Sequence, residues 1–237
     1  MAEEKTGSFK PGLQAGASIA IGYFPIALTF GLLSKTTGLT LIETVLMSLI
    51  VYAGASQYMG LSLIAAGTSP FVIILTTFVV NIRHFLMTAA LNQKVEEPSK
   101  WKRGLFAFGI TDETFSVLAM RNGKIPLGYG FGVTFIAYAS WVVSSGIGYV
   151  IGANLPQFLQ ASMTVALYAM FIGLLVPSLK KSVKVLFLAA LSAAFNSIFI
   201  GYGVMEEGWS IIVSTLLSAV LVEMAETYKR KKRVKEK

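Results

Sequence analysis

Apolar residues fill two long stretches that contain no Asp, Glu, Lys or Arg, from Thr44 to Ile82 and from Ile125 to Leu179. One bilayer crossing needs about 20 apolar residues, so each stretch holds more than one span. Cutting the apolar runs at their breakers predicts spans near 13–34, 41–66, 70–91, 127–153, 158–178, 184–204 and 208–227. An eighth segment, 104–120, "GLFAFGITDETFSVLAM", is short for a span and carries Asp112 and Glu113 at its centre. The expected fold is an all-α integral membrane protein with about seven transmembrane helices plus this short acidic helix.

The cations set the expected orientation. Lys94, Lys100, Lys102 and Arg103 precede the acidic segment, Arg121 and Lys124 follow it, and Lys180, Lys181 and Lys184 come two spans later. Lys and Arg beside spans mark the cytoplasmic face, which places the C-terminal tail inside. It also makes 104–120 re-entrant, beginning and ending on one side, a course tolerated only inside protein or a wet cavity. The alternative, a crossing segment with the N-terminus inside, leaves Lys94 to Arg103 outside. A shift of 115 or 116 residues brings Pro11 onto Pro126, Tyr23 onto Tyr138, Gly31 onto Gly146, Tyr52 onto Tyr168 and Asn81 onto Asn196. These matches outline a weak repeat, 11–91 and 126–204, within a single polytopic domain over 1–237. Three crossings followed by a re-entrant piece make the halves inverted; a crossing 104–120 makes them parallel.

Composition agrees with a membrane protein: 54% of the 237 residues are hydrophobic and 14% charged. The net charge of +8 gathers in short loops and in the tail 228–237, "YKRKKRVKEK", as membrane-surface anchoring requires. A nucleic-acid arm would extend from a polar domain instead. With no cysteine and one histidine, disulfides, thiolate chemistry and a histidine-rich metal centre are not expected. The opening "MAEEKTGSFKPG" lacks the pattern of a cleavable signal, so the first span is expected to remain.

The polar residues inside the spans are the candidate chemistry. In "VVNIRHFLM" (79–87), Asn81 and His84 join Thr77 and Thr88 in one stripe, while Arg83 points elsewhere. A charge at mid-bilayer costs about 2.5–3.5 kcal/mol, so Arg83 needs protein, water or an anionic partner. Asp112 and Glu113 are its natural counter-charges; snorkelling of Arg83 to headgroups is the competing reading. In "YAGASQYMG" (52–60), Gly54, Ser56 and Gln57 either allow close helix packing or unwind to present amide groups to a ligand. Pro25, with Gly22 beside it, is expected to kink the first span and free the Ile21 carbonyl. Asn196 adds a polar group in the second half, and Glu223 approaches the surface near the end of its span.

"YAGASQY", "NIRHFLM" and "GITDETF", in that order in a chain of this length, resemble the AzlC-like large subunits of branched-chain amino acid exporters, and the likeness covers nearly the whole chain. The resemblance implies a prokaryotic inner-membrane protein that moves leucine, isoleucine and valine outward with a much smaller AzlD-like hydrophobic subunit. Without a nucleotide-binding motif such as GxxxxGK[ST], the expected drive is a proton gradient, with no cofactor. In that reading Arg83, Asn81, Gln57, Ser56, Gly54 and Asn196 bind substrate or gate, and Asp112, Glu113 and His84 couple protons. A passive channel or non-transporting scaffold is the alternative class. An intramembrane enzyme is disfavoured because no nucleophile, paired-acid or metal constellation appears.

Overall fold

The computed structural model describes residues 9–96, 99–152 and 182–235, with scattered single positions between 153 and 181. The span expected over 158–178 lies outside the described residues. Among them the chain forms α1 (Phe9–Thr36), α2 (Leu41–Ile50), α3 (Gly54–Ala65) and α4 (Pro70–Asn92). Then follow β1 (Val95–Glu96), α5 (Lys100–Phe108), α6 (Asp112–Met120), β2 (Ile125–Pro126), α7 (Leu127–Gly152), α8 (Val183–Gly201) and α9 (Glu207–Lys235). Helices α1, α4, α7, α8 and α9 are long and apolar enough to cross a membrane. The described residues divide into two compact units, 1–65 with 80–167 and 66–79 with 168–237, the boundary falling inside α4.

The first unit is built on α1 and α7. Gly12 and Gly132 face each other at one end, the Ala20 carbonyl accepts a 2.7 Å bond from Ser140 Oγ midway, and Gly31 meets Ser145 and Tyr149 at the other. Residue numbers rise together along both helices, so α1 and α7 run parallel. At Gly12, Gly31, Gly132 and Gly148 any Cβ would strike the facing backbone, so glycine sets how closely the two helices approach. The end where both begin is called the base here, and the opposite end the top.

The stretch 41–66, expected as one span, is instead a hairpin of two short helices. Thr40 opens α2 at the top with a capping box to Glu43, and the Leu39 carbonyl accepts from Tyr149 Oη at 2.9 Å. The chain reverses at Val51–Ala53, where Tyr52 adopts φ +41, the sole positive φ outside glycine among the described residues. Helix α3 then returns beside α2: Gln57 Nε2 donates to Ser48 Oγ at 3.1 Å, and Gly60 faces the Met47 methyl. A straight helix would separate residues 48 and 57 by about 13 Å along its axis, too far for that bond.

A second hairpin rises from the base. Helix α5 starts at Ser99, carries Phe106 against Gly130 and Phe131, and ends at Gly109, which abuts Thr134. Thr111 begins α6 with a capping box to Thr114, and α6 descends until its Ala119 carbonyl accepts from Lys94 Nζ at 2.9 Å. The parallel pair Val95↔Ile125 and Glu96↔Pro126 ties the ends of this excursion together. Segment 104–120 therefore begins and ends on one side.

The two hairpins meet at their tips, where Tyr52, Phe108 and Tyr138 pack ring to ring at centroid distances of 4.9–6.0 Å. Because 41–66 also turns back, the base holds the start of α1 together with Lys94, Arg121 and Lys124. This differs from both layouts drawn from the charges, each of which counted 41–66 as a crossing. It also removes the argument for inverted halves: α1 and α7, which the 115-residue shift aligns, point the same way.

In the second unit, α8 and α9 pack together, with Ser210 Oγ donating to Asn196 Oδ1 at 2.8 Å. Lys184 pairs with Glu223 at 2.7 Å and Glu226 at 2.8 Å on the exposed surface. The tail expected from residue 228 continues α9 as helix to Lys235.

Replacing Gly31 by Leu is expected to lower stability by roughly 1–3 kcal/mol through overpacking. Gly22, which has open space at its Cβ position, should accept Ala with a gain of up to about 1 kcal/mol. Thermal unfolding of the two variants in detergent checks the contrast.

Candidate functional site

The residues that reasoning from sequence picked out on α4 and α6 come together in the first unit. Arg83 Nη1 lies 3.0 Å from Asp112 Oδ2, and both side chains are partly exposed, at 38% and 25%. The pair replaces the snorkelling alternative with a direct counter-ion. Arg83 Nε is buried and without a partner. His84, the next residue, lies within electrostatic range of Arg83 and Glu113.

Asp112 and Glu113 occupy the first turn of α6, where unpaired backbone N–H groups and the helix dipole favour negative charge. Glu113 Oε2 accepts a 2.5 Å hydrogen bond from the Tyr23 hydroxyl, and Tyr23 is also 2.7 Å from Thr111 Oγ1. Tyr23 is only 5% exposed and lies edge-on to Trp141, so α1 and α7 fix its position.

On the other hairpin, Asn81 Nδ2 donates to Ser56 Oγ at 3.0 Å, and Ser56 Oγ donates to the Ala53 carbonyl at 3.0 Å. The Asn81 Oδ1 atom is buried and unpartnered. Gln57 has a different role from presenting an amide to a ligand. It is fully buried; its Oε1 accepts from Trp141 Nε1 at 3.0 Å and from the Ala53 N–H at 3.2 Å, while its Nε2 bonds Ser48. Ser48 donates onward to Ser145 at 2.8 Å, so Gln57 anchors the hairpin tip to α7. Gly54 lies against the Trp141 ring, where a Cβ would come within 2.8 Å of the ring's Cη2.

Pro25 sits inside a continuous α1. Hydroxyl groups bind carbonyls beside it: Thr29 Oγ1 donates to Pro25 at 2.9 Å and Tyr58 Oη to Ile26 at 2.6 Å. Gly22 contacts nothing through its Cβ position. Asn196 belongs to the second unit, with Ser210 as its partner. Among the described residues no three His, Asp or Glu side chains converge on a possible metal position.

Tyr23, Tyr52, Thr111 and Trp141 were not singled out as site residues from sequence. The available signals were the place of Tyr23 beside Pro25 in "IGYFP" and of Tyr52 at the head of "YAGASQY". Neither reveals that both rings converge on the acidic turn of α6.

Among the described residues, five helices long and apolar enough to cross a bilayer, with two broken-helix hairpins beside them, define a polytopic helical membrane protein. The profile of the AzlC protein family matches residues 18–155. The chain is 32% identical over 199 residues to the inner membrane protein YgaZ of Escherichia coli (strain K12), covering 81% of each chain. It is 31% identical over 180 residues to an uncharacterized membrane protein of Archaeoglobus fulgidus, covering 74% of this chain and 78% of the relative. The branched-chain amino acid transport protein AzlC of Bacillus subtilis (strain 168) is 23% identical over 180 residues, 75% of this chain and 70% of the relative. No solved structure matches. The chain belongs to the AzlC family of membrane proteins.

Gln57→Leu should leave the Trp141 N–H, the Ala53 N–H and Ser48 without their partner and lower stability by roughly 1–3 kcal/mol. A denaturation midpoint in detergent equal to that of the unaltered protein would contradict the anchoring role.

Proposed function

We propose that this chain is the large subunit of a proton-coupled exporter of branched-chain amino acids, working with a small AzlD-like hydrophobic membrane subunit. One observation carries the reading: a fixed guanidinium and two carboxylates, Arg83, Asp112 and Glu113, stand where two re-entrant hairpins meet. Broken helices with charged groups at their inner ends are the usual site of substrate and ion binding in secondary transporters. The likeness to the branched-chain amino acid transport protein AzlC of Bacillus subtilis supports the cargo class.

In this mechanism Arg83 holds the substrate carboxylate, and the substrate ammonium competes with a proton for Asp112 and Glu113. A proton taken up from outside displaces the cargo there, and the next substrate bound from the cytoplasm releases that proton inside. His84 extends the same proton-accepting set. Ser56 and Asn81 position the polar end of the substrate, and Gln57 and Gly54 hold the tip that carries them. Asn196 serves the second half of the chain. The base, rich in Lys and Arg, faces the cytoplasm, and the charge rule independently makes the basic C-terminal tail cytoplasmic.

The test is efflux of labelled leucine from proteoliposomes holding the chain with its small partner, under an imposed proton gradient. The double variant Asp112→Asn, Glu113→Gln should abolish gradient-driven efflux while inserting normally. Flux unaffected by a protonophore would indicate a passive channel, and full activity of the variant would remove the acids from the mechanism.

A further inference from the structure

We infer that Glu113, Tyr23 and Tyr52 form a subsite for a primary ammonium group, walled by the aromatic rings of the hairpin tips. The inference rests on the function proposed above and deepens it, because the ligand is the α-ammonium of the amino acid cargo. Its strongest support is Tyr52. This side chain is 2% exposed, its buried hydroxyl completes no hydrogen bond of normal geometry, and the Tyr23 hydroxyl and the Glu113 carboxylate are its polar neighbours. The same residue holds the left-handed φ of +41 that turns the first hairpin. Backbone strain and a buried hydroxyl without a normal hydrogen bond at one position are the kind of cost that a binding site retains.

The chemistry selects a cation with several N–H donors. Glu113 offers carboxylate lone pairs beyond the one that accepts from Tyr23. The Tyr52 oxygen offers two more, beside the packed rings of Tyr138 and Phe108. An ammonium can use both kinds of oxygen acceptor, whereas a carboxylate placed beside Glu113 would be repelled. The neighbouring turn supplies the opposite end of a zwitterion: Arg83 approaches Asp112 through Nη1 and leaves its buried Nε unpartnered. Adjacent residues of α6 thus separate the two charges, with Asp112 on the guanidinium side and Glu113 on the tyrosine side.

The experiment measures equilibrium binding to the full-length chain in lipid nanodiscs. The probes are L-leucine, 3-methylbutylamine, which lacks the carboxylate, and 4-methyl-2-oxopentanoate, which lacks the ammonium. Tyr52→Phe and Glu113→Gln should each weaken leucine and the amine by about tenfold or more, with no change for the oxoacid. Equal weakening of all three ligands, or of none, overturns the subsite. An unaltered chain that binds the amine but not leucine keeps the subsite and removes the amino acid cargo; one that binds neither overturns both. Tyr52→Phe deletes only a hydroxyl that completes no normal hydrogen bond, so its unfolding midpoint should match that of the parent chain. A large drop would mean that the hydroxyl serves folding and would also overturn the inference, with Glu113→Gln giving a separate reading of the carboxylate.

Discussion

Irregular backbone inside a membrane survives only where protein or enclosed water satisfies it, and that constraint organises this chain. Two segments break their helices in the interior, at Val51–Ala53 and at Gly109–Thr111. Each break is enclosed. Gln57 and Trp141 bind the first, the reciprocal bonds of Thr111 and Thr114 close the second, and the aromatic rings of Tyr52, Phe108 and Tyr138 seal the contact between them. The close glycine-lined pairing of α1 and α7 supplies the frame against which both hairpins rest.

That frame explains why the fixed charges are tolerated. Arg83 does not stand alone in an apolar helix; it reaches the first turn of α6, where Asp112 and the helix dipole are already arranged. Glu113 is held in turn by a tyrosine from α1. Charge and broken backbone therefore stabilise each other: the half-helix end favours the acids, and the acids favour the guanidinium.

Much of the architecture was readable from the residues. Long uncharged stretches gave the helical membrane class, and the cations flanking 104–120 favoured a course that begins and ends on one side without excluding a crossing. The pairing of Arg83 with Asp112 followed from the expense of an isolated intramembrane charge. The hairpin over 41–66 was not readable, because 26 mostly apolar residues satisfy the length rule whether they cross or turn back. The reversal depends on one tyrosine in a left-handed conformation, which no residue preference announces. For the same reason the direction of α7 relative to α1 stayed open between inverted and parallel halves, since each uncounted reversal flips every later helix. Gln57 read as a ligand group because its partners, Ser48 and Trp141, are 9 and 84 positions away. Tyr52 read only as half of a repeat match.

Whether 41–66 enters and leaves on one side is read out by labelling single cysteines in a chain that has none of its own. Thr36→Cys, at the end of α1, and Ala65→Cys, at the end of α3, should react with a membrane-impermeant maleimide from the same side, with Lys124→Cys reacting from the other. Labelling of positions 36 and 65 from opposite sides would make 41–66 a crossing and contradict the account.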